Sequence, residues 1–186
     1  IRSGLLDRVK KSLDGEGVSY VELGGVKPNP RSGLVYEGID LCRREGVDFI
    51  LAVGGGSVID SAKAIGYGVE NERKRQACGC LPIGVVLTIA AAGSEMSDSS
   101  VITNENGWLK RGYNSSYCRP KFAVMNPELT MTLPKYQTAS GCVDIMMHTM
   151  ERYFTQGGNM ELTDAIAEGL MKTVIKNGLI LHDDPG

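Results

Sequence analysis

Asp144 and His148 lie four positions apart in the run Gly141-Cys142-Val143-Asp144-Ile145-Met146-Met147-His148-Thr149-Met150-Glu151. On a helix that spacing puts both side chains on one face. A carboxylate oxygen and an imidazole nitrogen so placed can bind one divalent ion, and this mixed set suits Zn2+ or Fe2+ better than Mg2+ or Cu+. A catalytic ion needs at least one further protein ligand and an open position. On spacing alone the simpler reading is the stronger: an Asp–His pair hydrogen-bonded on a helix, with Met146, Met147 and Met150 as core filling. The only other histidine is His182, in a turn-like tail, Leu181-His182-Asp183-Asp184-Pro185-Gly186.

A second pattern is Gly54-Gly55-Gly56-Ser57, between a short apolar run at 49–53 and a helical pattern carrying Val58, Ile59, Ala62 and Ile65. Strand, glycines, then helix is an arrangement that binds phosphate, because bare backbone admits a pyrophosphate and the helix N-terminus offers unpaired N–H groups and a positive dipole end. A G-x-G-x-x-G motif would require glycine at Ile59, and a Walker A loop would require Gly-Lys-Ser/Thr at Ile59-Asp60-Ser61. Both standard motifs are therefore excluded. An alternative is that Ser57 and Asp60 form a capping box, with the glycines making only a tight turn; both readings can hold together. Neither histidine has a nucleophile placed by sequence, so no Ser-His-Asp or Cys-His mechanism competes.

The elements that must position these residues alternate along the chain. Residues 4–13 read as a helix through Leu5, Leu6, Val9 and Leu13, and residues 18–23 alternate as a strand. Pro28-Asn29-Pro30 is a turn, and Ser32 can cap a helix bearing Leu34, Ile39 and Leu41. After the strand at 49–53 and its helix come a buried strand at 83–88, a polar small-residue stretch at 90–100, a hairpin around 104–107 and a strand at 122–125, closed by Asn126-Pro127. Beyond Pro134 the pattern is helical only, at 136–154 and 161–175. The chain thus reads as α/β, a Rossmann-like parallel-sheet domain over residues 1–134, then the start of an all-helical domain over 135–186.

Composition agrees with this outline. The chain has 186 residues, 42% hydrophobic, with 20 Lys+Arg against 22 Asp+Glu for a net charge of −2. Such a chain builds a globular core, and nothing in it forms a basic footprint for nucleic acid or an anionic membrane. No apolar run approaches the roughly 18 residues of a membrane span, and the first residues lack the apolar centre of a signal peptide. The five cysteines show no C-x-x-C pair, so a reducing cytoplasm is the expected location. Glycine, at 24 residues, is well above its average share of about 7% and falls in clusters between elements.

Four stretches together resemble the iron-containing (group III) alcohol dehydrogenase family, most closely its butanol dehydrogenase and NADPH-dependent aldehyde reductase branch. They are Gly25-Val26-Lys27-Pro28-Asn29-Pro30; the run from Ala52 through Gly54-Gly55-Gly56-Ser57-Val58-Ile59-Asp60 to Ala64; Leu87-Thr88-Ile89-Ala90-Ala91-Ala92-Gly93-Ser94-Glu95 with Val101-Ile102-Thr103; and Gly141 through Phe154.

The resemblance implies a dehydroquinate synthase-like fold and an enzyme that moves a hydride between NAD or NADP and a primary alcohol or aldehyde such as butanol or butanal. It implies that Gly54, Gly55, Gly56, Ser57 and Asp60 grip the cofactor pyrophosphate. Asn29 and Thr88 then line the dinucleotide cleft, Ser97, Ser99 and Lys110 lie near the ribose or nicotinamide, and Asp144 and His148 are two of four ligands to Fe2+ or Zn2+. It further implies that the chain starts after the family's first strand and stops before the other two ligands, which are histidines, so His182 is not promoted to a ligand. The intact protein is then expected to be a homodimer, and the chain by itself an inactive nucleotide-binding fragment with an incomplete metal site.

Overall fold

The computed structural model describes residues 4–71 and 79–184. The element order is α1 (Leu5–Gly15), α2 (Ser32–Glu45), β1 (Ile50–Gly54), α3 (Gly56–Asn71), β2 (Ile83–Leu87), β3 (Ser99–Asn104), β4 (Leu109–Asn114), β5 (Phe122–Val124), α4 (Lys135–Tyr153) and α5 (Glu161–Asp183). The chain forms two compact units, one of Ile1–Thr88 with Gly93–Met125, the other of Ile89–Ala92 with Asn126–Gly186.

In the first unit β1, β2 and β5 form a parallel sheet in the order β1-β2-β5, with Ile50 opposite Ile83 and Gly84 opposite Phe122. All five residues of the central strand β2 are buried, as expected of a parallel strand covered on its faces. Helix α3 serves two apolar clusters. Ile59 and Ala62 pack with Ala52, Ile83, Val85 and Leu87 of the sheet, and Ile65 and Val69 pack with Val35, Ile39 and Cys42 of α2 and with Leu81.

Two glycines let α2 and α3 approach closely. A Cβ on Gly38 would sit 2.4 Å from Ile65 Cδ1 and 2.9 Å from Leu23 Cδ2, and one on Gly68 would sit 2.3 Å from Ile39 Cδ1. Each glycine receives an isoleucine of the facing helix. Gly38→Ala would gain about 1 kcal/mol of helix propensity but would incur an overpacking cost of about 1–3 kcal/mol. We expect a net loss of about 1 kcal/mol, read as a lower urea midpoint at unchanged slope; an unchanged or higher midpoint would contradict the close approach.

Three local expectations are corrected. Residues 18–23 carry no ladder: alternation specifies two faces of a strand but no partner, and Val18, Tyr20, Val21 and Leu23 are all exposed. Neither serine caps its helix. Ser32 lies inside α2, which Arg31 precedes, and its Oγ accepts from Glu105 N at 3.2 Å. Ser57 lies inside the first turn of α3, where Gly55 O already accepts from Val58 N and Ile59 N. The hairpin around 104–107 is present as the antiparallel pair β3–β4.

In the second unit, Asn126 caps the 3-10 turn Pro127–Thr130 by accepting from Glu128 N. Helices α4 and α5 then pack against one another. Helix α5 runs to Asp183, so His182 occupies its last turn, not a turn-like tail. No helix among the described residues is long and apolar enough to cross a membrane. Cys42, Cys80, Cys118 and Cys142 are free thiols, and Cys78 lies outside the described residues.

Candidate functional site

Gly54 is the last residue of β1, and Gly56 is the first of α3, so strand passes to helix through Gly55 alone. The first N–H groups of a helix have no partner within it, and those of Gly56 and Ser57 stand at the sheet's C-terminal edge. Thr88, just past the end of β2, donates its N–H to Gly54 O at 3.1 Å, which brings it beside the glycine turn. In parallel sheets the crevice beyond the strands' carboxyl ends is where ligands bind. Gly54 has no room for a side chain: a Cβ there would meet Val58 Cγ2 at 2.6 Å and Val58 Cβ at 2.8 Å.

Asp60 does not close a capping box. Its Oδ1 accepts from Ser94 Oγ at 2.6 Å and its Oδ2 from Val101 N at 3.0 Å, while Ser100 Oγ donates to its backbone carbonyl at 2.9 Å. Asp60 therefore ties the start of α3 to β3. One turn on, Lys63 is fully buried. Its ammonium donates to the carbonyls of Ser94, Ser97 and Ser99 at 2.7, 2.9 and 2.9 Å, and reaches the hydroxyls of Ser94 and Ser97 at 3.1 and 3.2 Å. Burial pushes the Lys63 amine below its ordinary range, with the charge of Asp60 the main opposing influence.

The turn carrying Asn29 reaches the same strand. Thr103 N donates to Pro30 O at 2.8 Å, Arg31 forms a parallel bridge with Thr103, and Lys110 Nζ donates to Asn29 Oδ1 at 2.7 Å. Asn29 has φ 56°, in the left-handed region that asparagine tolerates better than most residues. The Arg31 guanidinium stacks 5.0 Å from the Trp108 ring centroid, holding the hairpin tip to this turn. One edge of β3 pairs with β4, and the other, through Ser99, Val101 and Thr103, receives Lys63, Asp60 and the Pro30 turn.

The structure thus places the ten candidate nucleotide residues in three groups. Gly54, Gly55, Gly56, Ser57 and Thr88 form the glycine turn; Asp60, Ser97 and Ser99 join through Ser94 and Lys63; Asn29 and Lys110 pair on the surface. Lys63 is the residue that reading the sequence misses. Its signal is a lone cation four residues after Ile59 and flanked by Ala62 and Ala64, on the apolar face of a helix.

In the second unit Asp144 Oδ1 and His148 Nε2 lie 3.9 Å apart on one face of α4, each about half exposed. Two bonds of about 2.1 Å at a tetrahedral angle put their donors about 3.4 Å apart, a separation that a small side-chain rotation gives this pair, and oxygen with nitrogen is a donor set that zinc or iron accepts. The pair fits as part of a metal site; among the described residues no third His, Cys, Asp or Glu completes a cluster. An open groove of about 410 Å3 adjoins Asp144, lined also by Tyr136, Ala139, Ser140, Val143 and Met147. Met147 is therefore groove wall, not core filling. Cys142 turns away toward α5, where a Cβ on Gly178 would lie 3.3 Å from its Sγ.

Comparison with known proteins adds the following. Residues 1–127 match the family model described as iron-containing alcohol dehydrogenase. The probable NADH-dependent butanol dehydrogenase 1 of Bacillus subtilis is 44% identical over 98% of this chain and 49% of its own length. The NADPH-dependent aldehyde reductase YqhD of Escherichia coli is 35% identical over 95% of this chain and 48% of its own. The NADH-dependent butanol dehydrogenase A of Thermotoga maritima superimposes with a TM-score of 0.92 at 41% identity, over 99% of this chain and 48% of that one. The chain spans about half the length of the curated relatives it matches.

Proposed function

The chain belongs to the iron-containing alcohol dehydrogenase family, and on that premise we propose that its protein transfers a hydride between NAD(H) or NADP(H) and a primary alcohol or aldehyde, butanal being the model substrate. In this reading residues 1–134 serve the dinucleotide and residues 135–186 begin the part that holds Fe2+ or Zn2+. The partners are a small-molecule alcohol or aldehyde and, through the family, a second copy of the chain, in the cytoplasm. The observation that carries the reading is the glycine turn at the carboxyl end of β1, opening directly into α3.

When bound, the nicotinamide supplies the hydride and the divalent ion supplies Lewis-acid polarisation of the substrate oxygen. The chain's own groups bind and orient. The N–H groups of Gly56 and Ser57 receive the pyrophosphate at the positive end of α3. Asn29 and Thr88 line the dinucleotide cleft, with Lys110 and the loop at 93–99 toward the ribose and nicotinamide. Asp144 and His148 offer one carboxylate oxygen and one imidazole nitrogen to the ion. The groove beside Asp144, whose wall includes Tyr136, Ala139, Val143 and Met147, suits a short aliphatic chain.

A second reading, a nucleotide binder without turnover, is favoured for the chain by itself by the lack of a third metal donor among its described residues. Titration with NADH and NADPH, followed by cofactor oxidation with butanal and added Fe2+ or Zn2+, separates the two. Dinucleotide binding at micromolar concentration with aldehyde-dependent oxidation is the expected result for the protein expressed from its complete reading frame. The 186-residue chain is expected to bind dinucleotide yet lose its ion on dialysis. Absence of dinucleotide binding in both would sink both readings.

A further inference from the structure

We propose that Lys63, which has no place in the dinucleotide contacts described above, is a positioning residue: its buried ammonium sets the shape of the loop at 93–99 and so the fit of the cofactor's nicotinamide half. The inference rests on the functional reading just given and assigns within it a residue that does not touch the ligand.

The geometry is specific. An ammonium has three N–H donors, and Lys63 finds three backbone carbonyls of one loop, those of Ser94, Ser97 and Ser99, at 2.7–2.9 Å. Within the loop Met96 N and Ser97 N donate to Gly93 O and Ser99 N to Ser97 Oγ, and at its outer side Ser115 N donates to Asp98 O while Arg119 donates to Met96 O and pairs with Asp98. Three carbonyls converging in a buried space repel one another, and a buried polar group without a partner is strongly disfavoured. Lys63 is therefore the group that lets these three carbonyls converge. The hydroxyls contribute less, because Ser97 keeps its carbonyl bond to Lys63 whatever its side chain.

The placement gives this a functional direction. Lys63 lies two turns along α3 from the glycine turn, and Asp60, between them, is held by Ser94 Oγ and Val101 N. Ser94 is bonded to both charged side chains and is almost fully buried. The helix that offers its N-terminus to the pyrophosphate thus also fixes, by a side chain from its own second turn, the loop assigned to the other end of the dinucleotide. Arginine cannot substitute, since its planar fork does not match three convergent acceptors.

The test compares the preferred reduced dinucleotide with ADP-ribose, which keeps the pyrophosphate and lacks nicotinamide; if NADPH is preferred, the 2′-phosphorylated form is used. It is run on wild type, Lys63→Met and the milder Ser94→Ala in the protein expressed from its complete reading frame. We expect Lys63→Met to weaken reduced-dinucleotide binding about tenfold, to change ADP-ribose affinity less than about twofold, and to speed amide exchange at Met96 and Ser97. Ser94→Ala should shift in the same direction by a smaller factor, and it stands in if Lys63→Met does not fold. Equal losses for both ligands, or no loss in either, would overturn the proposal while leaving the functional reading intact. Wild type that binds neither ligand would overturn the functional reading and this inference with it.

Discussion

In the protein expressed from its complete reading frame, His148→Ala is expected to abolish ion binding and turnover together while leaving dinucleotide binding within about twofold of wild type. His148 contributes an imidazole nitrogen on the face of α4 that carries Asp144, 3.9 Å from Asp144 Oδ1. Lewis-acid stabilisation by a bound ion is worth several kcal/mol, and each 1.36 kcal/mol is tenfold in rate. The expected fall in kcat is therefore about a thousandfold or more. Metal analysis after dialysis should give well under one ion per chain, and NADH and NADPH titrations should be almost unchanged because the glycine turn belongs to the other unit. Turnover retained at wild-type level in a metal-depleted variant would refute the assignment of Asp144 and His148. Asp144→Asn, which keeps the shape and removes the charge, should fall in the same direction.

Gly54→Ala should weaken dinucleotide binding by about thirtyfold, close to 2 kcal/mol, within the range of overpacking costs. The added carbon would stand 2.6–2.8 Å from Val58 Cγ2 and Cβ. Val58 Cβ is attached directly to the helix backbone, so a rotamer change does not relieve the contact. The strain must move the first turn of α3, whose N–H groups are the anion site. A double variant, Gly54→Ala with Val58→Gly, removes Cβ, Cγ1 and Cγ2 alike and should recover most of the affinity. If it recovers none, the loss came from somewhere other than this contact, and the close approach is not what the glycine protects.

What could be read from the sequence was largely local. The i, i+4 spacing of Asp144 and His148 carries its own geometry, and the strand–glycine–helix succession at residues 50–57 needs only neighbours along the chain. Errors arose where the deciding partner is remote. Ser57 and Asp60 satisfy the capping-box pattern, yet Asp60 is taken by Ser94 and Val101, 34 and 41 residues on. Lys63 reads as an ordinary helical lysine because its acceptors lie 31 to 36 residues away. Residues 18–23 have the alternation of a strand without a ladder. The helix read over 161–175 continues through Gly178 to Asp183; the missing side chain of Gly178 gives room to Cys142 of α4. A glycine required by a neighbouring helix and a glycine required by a turn look the same in one dimension.

The central position of β2 also sets an order of events during folding. Both its partners are distant along the chain: β1 precedes it by the whole of α3, and β5 follows it by the whole β3–β4 hairpin. Neither parallel pairing can begin until a long segment has closed, at an entropic cost that the first few contacts do not offset. The hairpin β3–β4 and the pair α4–α5, by contrast, join sequence neighbours and form early. The sheet edge that carries the glycine turn is accordingly expected to assemble late.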